Sequence, residues 1–533
     1  MRALLSTLLL FAGGVSTAAA SCLTGTVFED RDGDGVRDAR EPGLPRVLVS
    51  DGVELVRTGT GGEYRLPAAS ERPVFVIKPP THSFAVAGPV GPGFWQMPSD
   101  AQAQRCDFAL KRRSKVGPVL DVLVFADPQA QSEVDVDYYK RDIVESVLRD
   151  TAATPANAGA SGAAPAADLG LTLGDVVARG RTDLYPSLDK ATARLQTPWL
   201  HVPGNHDMDS GAGGDADALH SFVQHYGPDT FAWEEPQATF VLLDDVIRLP
   251  PGQQPAYVGG LREEQFTFLE RYLATVPTDR LLVVALHIPL FDAAPGRETF
   301  RRADRERLFS LLQRFPKRLV LSGHSHAQRH HLHDASSGWT GAEPLHEFNV
   351  GAASGAYWSG VKDAAGIPDA TMSDGTPNGY ARLRVDVDGD YRLSWHPARL
   401  ANDDPATTSA MHLHAPRVLR RGAYPAWGVY ANVYMGRPDS RVEYRVDDGR
   451  WRPMQRVEAP DPRLLAQNVA DDAATALRGY DRSPEATPSP HLWRGALPTD
   501  LGVGEHRIEV RTVDPWLGEQ RAKTSYRLED AAP

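Results

Sequence analysis

The sequence predicts a multidomain protein in which a central α/β unit lies between an N-terminal and a C-terminal β-sandwich. Three observations predict it. The 533 residues exceed one ordinary core, at roughly 150 residues per domain. From 118 to about 400, apolar strand-like runs alternate with amphipathic segments, as an α/β unit requires. At 22–112 and 410–530, short β-rich runs are separated by turn residues, the pattern of a small sandwich.

The first twenty residues read as an export leader. Arg2 supplies a positive start, 3–12 a short apolar run, and Ala18, Ala19 and Ala20 small residues before Ser21. Residues 1–20 are therefore set apart from the fold, and the expected location is periplasmic or secreted. The apolar run is shorter than the roughly 20 residues of a spanning helix, and no transmembrane span is expected elsewhere. Cys22 and Cys106 are the only cysteines, and an oxidising compartment would let them pair. Ala19-Ala20-Ser21-Cys22 also resembles a lipoprotein processing site, with Ala19 in place of Leu; the disulfide is the preferred reading.

In the first unit the strands are expected at 25–28, 46–50, 54–58, 63–66 and 73–78. A basic stretch, 111–115, marks its end. The central unit should have strands at 120–125, 169–173, 199–202, 240–244, 281–286 and 318–321, and helices at 136–148, 261–273 and 303–314. The Ala/Gly/Pro/Ser stretch at 151–167 reads as a flexible loop. Beyond 410, strands are expected at 427–433, 442–446 and 506–513, with 464–487 as a long polar or irregular excursion. The net charge of −12 excludes a broad electrostatic footprint for long nucleic acid or anionic membrane. Oligomeric state has no signature here.

Five motifs follow predicted central strands. They are Asp127-Pro128-Gln129, Gly174-Asp175, Gly204-Asn205-His206-Asp207, His287, and Gly323-His324-Ser325-His326. Phosphate-ester hydrolysis needs an anionic substrate neutralised and a strong nucleophile made at ordinary pH. Two metal ions roughly 3.5–4 Å apart can do both. A carboxylate is suited to bridge two cations, while imidazole and amide oxygen fill terminal positions. Any one motif alone is more often a turn or a cap; the ordered series is what points to a metal site.

This series resembles the calcineurin-like metallophosphoesterase signature over about 118–400. The resemblance implies a four-layer α/β sandwich of two mixed sheets flanked by helices, with metals at one edge. It implies Asp175 as the bridge, Asp127, Gln129 and His326 on one ion, and Asn205, His287 and His324 on the other. His206 would face the leaving group, with Asp207 orienting its ring. Gln129 stands where the signature has His, which favours a harder or less tightly held ion; Mn, Mg, Fe and Zn all fit the donor types. His330, His331 and His333 follow the last motif, and the latter two read as a strand alternating away from the site.

Asp30, Asp32, Asp34, Asp38 and Glu41, with Gly35 between, have the spacing of an EF-hand-type calcium loop in which Val36 would offer its carbonyl. The surrounding run from Gly25 to Leu66 resembles the calcium-binding B repeats of bacterial surface adhesins, implying a structural Ca2+. An acidic turn is the alternative. Segments around Gly351–Tyr380, at His491-Leu492-Trp493-Arg494 and at Gly504-Glu505-His506 resemble a narrower subgroup with β-domains at both ends. In the first of these, Tyr357, Trp358, Asp374 and Asn378 either line the substrate pocket or pack the core and shape a turn.

The leading functional reading is an exported metal-dependent phosphoesterase, acting on a small phosphate mono- or diester through a two-metal-activated hydroxide. The alternatives are a non-catalytic calcium-stabilised surface binding protein and a nucleotide pyrophosphatase.

Overall fold

The computed structural model describes residues 22–67, 71–84, 93–98, 105–153, 166–294, 296–400, 404–424 and 427–531. The expected leader at 1–20 and most of the 151–167 stretch lie outside them.

Two four-stranded sheets open the chain. One orders Glu63–Arg65, Thr24–Glu29, Phe108–Arg112 and His82–Phe84; the other orders Leu55–Arg57, Leu48–Ser50, Val74–Ile77 and Trp95–Gln96. Val27, Phe108 and Leu110 of the first share a core with Val49, Val74 and Val76 of the second. Cys22 and Cys106 are bonded and buried in that core, with Cα atoms 5.1 Å apart. The sulfur of Cys22 is thereby engaged, so acylation at that atom would require breaking the pair.

This sandwich is seated on the central unit through aromatic packing. Phe75 meets Phe231 and Phe268 edge-on at 6.4 and 6.1 Å. Beside them Lys78 is buried, its ammonium 2.9 Å from Glu235 and 4.8 Å from the centre of the Trp233 ring. Burial lowers Lys78 to about 8, although Glu235 opposes the fall.

The central unit contains a five-stranded sheet ordered Trp199–Val202, Leu169–Leu173, Val119–Phe125, Gly379–Asp386, Tyr391–Pro397. Its six-stranded partner is ordered Thr230–Glu234, Ala238–Leu243, Leu281–Ala285, Arg318–Ser322, Leu345–Asn349, Arg329–His333. Both are mixed: the six-stranded sheet pairs parallel at its centre and antiparallel at both margins, whereas the five-stranded sheet is parallel from Trp199–Val202 to Val119–Phe125 and antiparallel beyond. The strand Val119–Phe125 explains the layering. Its Val122 and Val124 enter the core shared with Phe240, Val283 and Val320 of the other sheet. Leu123 and Phe125, on the opposite face, pack with Val144, Val147 and Leu188 from helices, as the period of two dictates.

The expected helices appear as Glu133–Tyr139 continuing through a π-turn into Glu145–Ala152, Glu263–Leu273 and Arg302–Leu312. The hairpin Gly379–Asp386/Tyr391–Pro397 went unassigned in the sequence because its first strand is buried on nearly every residue; without alternation the period is hidden.

The C-terminal strands form a four-stranded and a five-stranded sheet enclosing Leu413, Val429, Ala431, Val510 and Tyr526. Part of the supposedly irregular excursion at 464–487 is instead the helix Pro462–Asp472. Asp461 caps it by accepting from Arg463 and Leu464 N–H, and Pro462 occupies its first turn; that pair is a recognised helix start. Among the described residues no helix is long and apolar enough to cross a membrane.

Candidate metal centre

The motif residues sit just beyond strand ends: Asp127 after Val119–Phe125, Asp175 after Leu169–Leu173, and Asn205 after Trp199–Val202 in one sheet. In the other, His287 follows Leu281–Ala285 and His324 follows Arg318–Ser322. The chain turns sharply at these points. Asp127, Gln129, Asp175, His324 and His326 all have left-handed backbones, with φ between 45 and 71°. Such strain in non-glycine residues gathers where a site is over-determined by its surroundings. Two glycines allow the close approach. A Cβ on Gly174 would come within 2.4 Å of His287 Nδ1, and one on Gly204 within 2.3 Å of Asp175 Oδ1.

The donor atoms then converge. His287 Nδ1 is 2.8 Å from the Leu173 carbonyl, so it carries the proton and donates, leaving Nε2 to face inward. There it meets Asn205 Oδ1 at 3.1 Å, His324 Nδ1 at 3.1 Å and Asp175 Oδ1 at 3.4 Å. On the other side Gln129 Nε2 donates to Asp175 Oδ2 at 3.1 Å, and His326 Nε2 lies 3.6 Å from Asp127 Oδ1. Gln129 Oε1 is buried without a hydrogen-bond partner.

The charges agree with this geometry. Burial pushes Asp127 up to about 8, with Asp175 adding to the rise and His287 opposing it. Burial raises Asp175 too, but the His287, His206 and His324 rings outweigh it and hold this carboxyl well below the usual range. Burial holds His324 down at about 3 and His326 at about 4, so both are neutral. His287 goes the other way, to about 10, because Asp175, Asp127 and Asp245 overcome its burial. The cluster thus demands positive charge. A proton on His287 could serve one neighbouring acceptor, whereas a metal ion serves all of them. The orphaned amide oxygen of Gln129 and the nitrogen and oxygen donors fit such ions.

Asp207 does not orient the His206 ring as the sequence reading expected. Its Oδ2 accepts from Gly204 and Val176 N–H, and its Oδ1 from Val177 N–H and the Tyr185 hydroxyl. Every strong acceptor direction is taken, so Asp207 ties the Asp175 loop to the Asn205 loop. The ring of His206 is held by Arg179 N–H, which donates to Nδ1 at 3.2 Å.

Of the four candidate substrate residues, only Tyr357 is both exposed and beside the donors. It is 54% exposed, and its ring centre is 4.5 Å from that of His326. The packing alternative accounts for the others. Trp358 is buried, with Nε1–H donating to the Pro128 carbonyl. Asp374 is buried and accepts from Gln328 and Thr376 N–H while pairing with His491 Nε2 at 3.1 Å. Asn378 is buried and donates to Asp142 and to the Ala353 carbonyl. Sequence reasoning missed Tyr257, whose ring is 5.9 Å from that of His324. It lies on a short ribbon, Val246–Arg248 paired with Tyr257–Gly259, and no motif marks it.

The remaining histidines stay out of the site. His333 pairs with buried Glu347 at 2.6 Å, and His331 stacks on Phe291. In the first sandwich, ligand atoms of Asp30, Asp32 and Glu41 lie within 4.8 Å of one another. Asp30 accepts from Gly33 and Gly35 N–H, Glu41 from Arg31 and Asp38 N–H, Asp34 from Val36 N–H, and Asp38 from Arg40 N–H.

Three family profiles match consecutive parts of the chain. Residues 31–113 match the N terminal of calcineurin-like phosphoesterase, 120–328 the calcineurin-like phosphoesterase itself, and 347–520 its C terminal. A probable glycerophosphodiester phosphodiesterase of Arcobacter nitrofigilis is 28% identical over 189 residues, covering 34% of this chain and 65% of that protein. A 3',5'-cyclic adenosine monophosphate phosphodiesterase of Pseudomonas aeruginosa is 31% identical over 169 residues, covering 31% and 56%. The match therefore spans less than two thirds of either relative. Among solved structures, a dimetal phosphatase from Danio rerio aligns with TM-score 0.34 at 16% identity, over 53% of this chain and 98% of that one. A purple acid phosphatase from yellow lupin aligns with TM-score 0.37 at 13% identity, over 66% and 67%.

Proposed function

Because the chain belongs to the calcineurin-like phosphoesterase family, and is thereby a phosphate ester hydrolase, we propose that it hydrolyses small phosphate mono- or diesters outside the cytoplasm. The observation that carries this is the convergence of Asn205 Oδ1, His324 Nδ1 and Asp175 Oδ1 on His287 Nε2. Two ions held by Asp127, Gln129, Asp175 and His326, and by Asp175, Asn205, His287 and His324, would neutralise the phosphoryl oxygens and activate water. The amide at Gln129 favours a hard ion such as Mg or Mn on its side over Zn or Fe. His206 presents its remaining ring nitrogen to the leaving oxygen. The leader pattern and the Cys22–Cys106 bond support export.

The test is turnover by the full chain, stripped of metal and reloaded separately with Mn, Mg, Fe or Zn. The substrates are p-nitrophenyl phosphate, bis-p-nitrophenyl phosphate, a cyclic nucleotide, a nucleotide pyrophosphate and a glycerophosphodiester. Hydrolysis of an ester with one of these ions is expected. Inactivity on all of them, with metals bound, would sink the reading, and exclusive cleavage of the pyrophosphate would replace it.

The loop at Asp30 is proposed as a structural calcium site, supported by its three clustered ligand atoms. Calcium should raise the Tm at which the N-terminal sandwich of the chelated protein unfolds by roughly 4–8 °C per kcal/mol of stabilisation by linkage. Asp32→Asn should remove that rise. No calcium-dependent shift in the unsubstituted chain would leave the loop an acidic turn.

A further inference from the structure

A cleft of about 660 Å3 opens beside the metal centre and is walled by three parts of the chain, 131–138, 357–362 and 477–481. Tyr357 belongs to both places, with its ring against His326 and its exposed face in the cleft. Tyr357 and Trp358 are consecutive left-handed residues, φ 57 and 54°. The indole bond to Pro128 and the Trp358 N–H to Ser354 carbonyl bond hold them so, turning the Tyr357 ring outward instead of into the core.

The far wall is the segment 477–481, which follows the helix Pro462–Asp472 of the C-terminal unit. It is tied down at both ends. Arg478 pairs with Asp471 at 2.8 Å, and the Asp481 carbonyl accepts from Gly360 N–H at 2.8 Å, two residues beyond Trp358. A segment anchored on both units defines a fixed opening.

The lining is acidic on balance. Asp135 and Asp481 face the cleft among the rings of Tyr138, Tyr357 and Tyr480. The one cation of the lining, Lys362, sits over the Tyr138 ring at 5.7 Å. Arg141 and Arg478, outside the lining, also lie over the Tyr138 and Tyr480 rings at 5.9 and 5.5 Å, each neutralised by its own carboxylate, Asp137 and Asp471. Two carboxylates and the exposed Tyr357 ring against one ammonium favour a cation over an anion. Asp135 is raised from its ordinary value, first by burial, with the Asp481 charge adding to it.

We propose that the organic arm of the ester lies in this cleft between Tyr357 and segment 477–481, and that the cleft selects an arm carrying a positive charge. The C-terminal β unit then sets substrate choice without contributing to the metal centre. This rests on the phosphoesterase reading above.

The test compares kcat/KM of the full, metal-loaded chain on p-nitrophenyl phosphorylcholine and on its uncharged neohexyl isostere, equal in shape and different only in charge. A preference of about tenfold for the choline ester is expected, from the magnitude of a desolvated cation–π contact. Asp481→Lys should lower that ratio about tenfold, and Leu477→Glu, at a fully exposed position, should raise it. Opposite movements cannot come from a general folding defect. A ratio near unity in the unsubstituted chain, or one unmoved by both substitutions, would overturn the inference. So would hydrolysis of bis-p-nitrophenyl phosphate with neither arm accepted. Failure on every ester would instead remove the reading on which it rests.

Discussion

Asp175→Asn should abolish turnover and the stabilisation that metal confers, and should leave the metal-free protein less stable than before at neutral pH. The carboxylate lies between the two donor groups. Its Oδ1 faces His287 Nε2 and accepts the His206 N–H at 2.7 Å, and its Oδ2 accepts from Gln129. An amide keeps one acceptor oxygen for the His206 N–H, so the loop geometry has a way to persist. What is lost is the negative charge that two cations would share. Transition-state stabilisation by such ions is worth several kcal/mol, so kcat/KM should fall by at least about a thousandfold.

The stability half of this prediction follows from the balance of repulsion and attraction at Asp175. In the metal-free protein, Asp127 and Asp207 are raised first by burial and then by the charge on Asp175. Neutralising Asp175 relieves that repulsion, but the His287, His206 and His324 rings hold its carboxyl well below the usual range, so its charge favours the folded state on balance and that stabilisation is lost. The checks are metal content by plasma spectrometry and Tm with and without the activating ion. A variant that keeps both ions, or that loses stability equally in both conditions, would show that Asp175 is not the bridge.

The candidate donors were legible because each belongs to a short contiguous motif. Gly174 next to Asp175, and Gly204 next to Asn205, are local marks of places where backbone and side chains crowd, and a sequence displays them directly. The α/β alternation was legible for the same reason, since Val122 to Phe125 and Leu281 to Ala285 are uninterrupted apolar runs. Contacts between distant segments were not. Nothing near Tyr257 announces that a ribbon brings it to His324, and nothing near Leu477 announces a return to Tyr357. Asp207 misled for a related reason. Its neighbour in sequence is His206, yet three backbone N–H groups and the Tyr185 hydroxyl claim its oxygens first. The Asp461-Pro462 pair was a visible helix start that the polar composition of 464–487 obscured.

His206→Ala should lower kcat by about 10²–10⁴-fold, the range for removing a positioned proton donor, and the loss should grow as the leaving alcohol becomes more basic. Arg179 N–H donates to Nδ1, so that nitrogen supplies a lone pair and the proton of the neutral ring resides on Nε2. The backbone amide of His206 is also fixed, by Asp175 Oδ1. Ring and backbone are thus both held, and Nε2–H is the group left free to meet a departing oxygen. With p-nitrophenolate, which leaves readily without a proton, the variant should retain most of its rate. With an alkyl alcohol the full deficit should appear. His206→Gln, which restores an N–H of similar reach without an acid, should match the alanine variant on the p-nitrophenyl ester and recover little of the alkyl rate. An equal loss on both leaving groups would mean that His206 acts on the phosphoryl oxygens or the metal site.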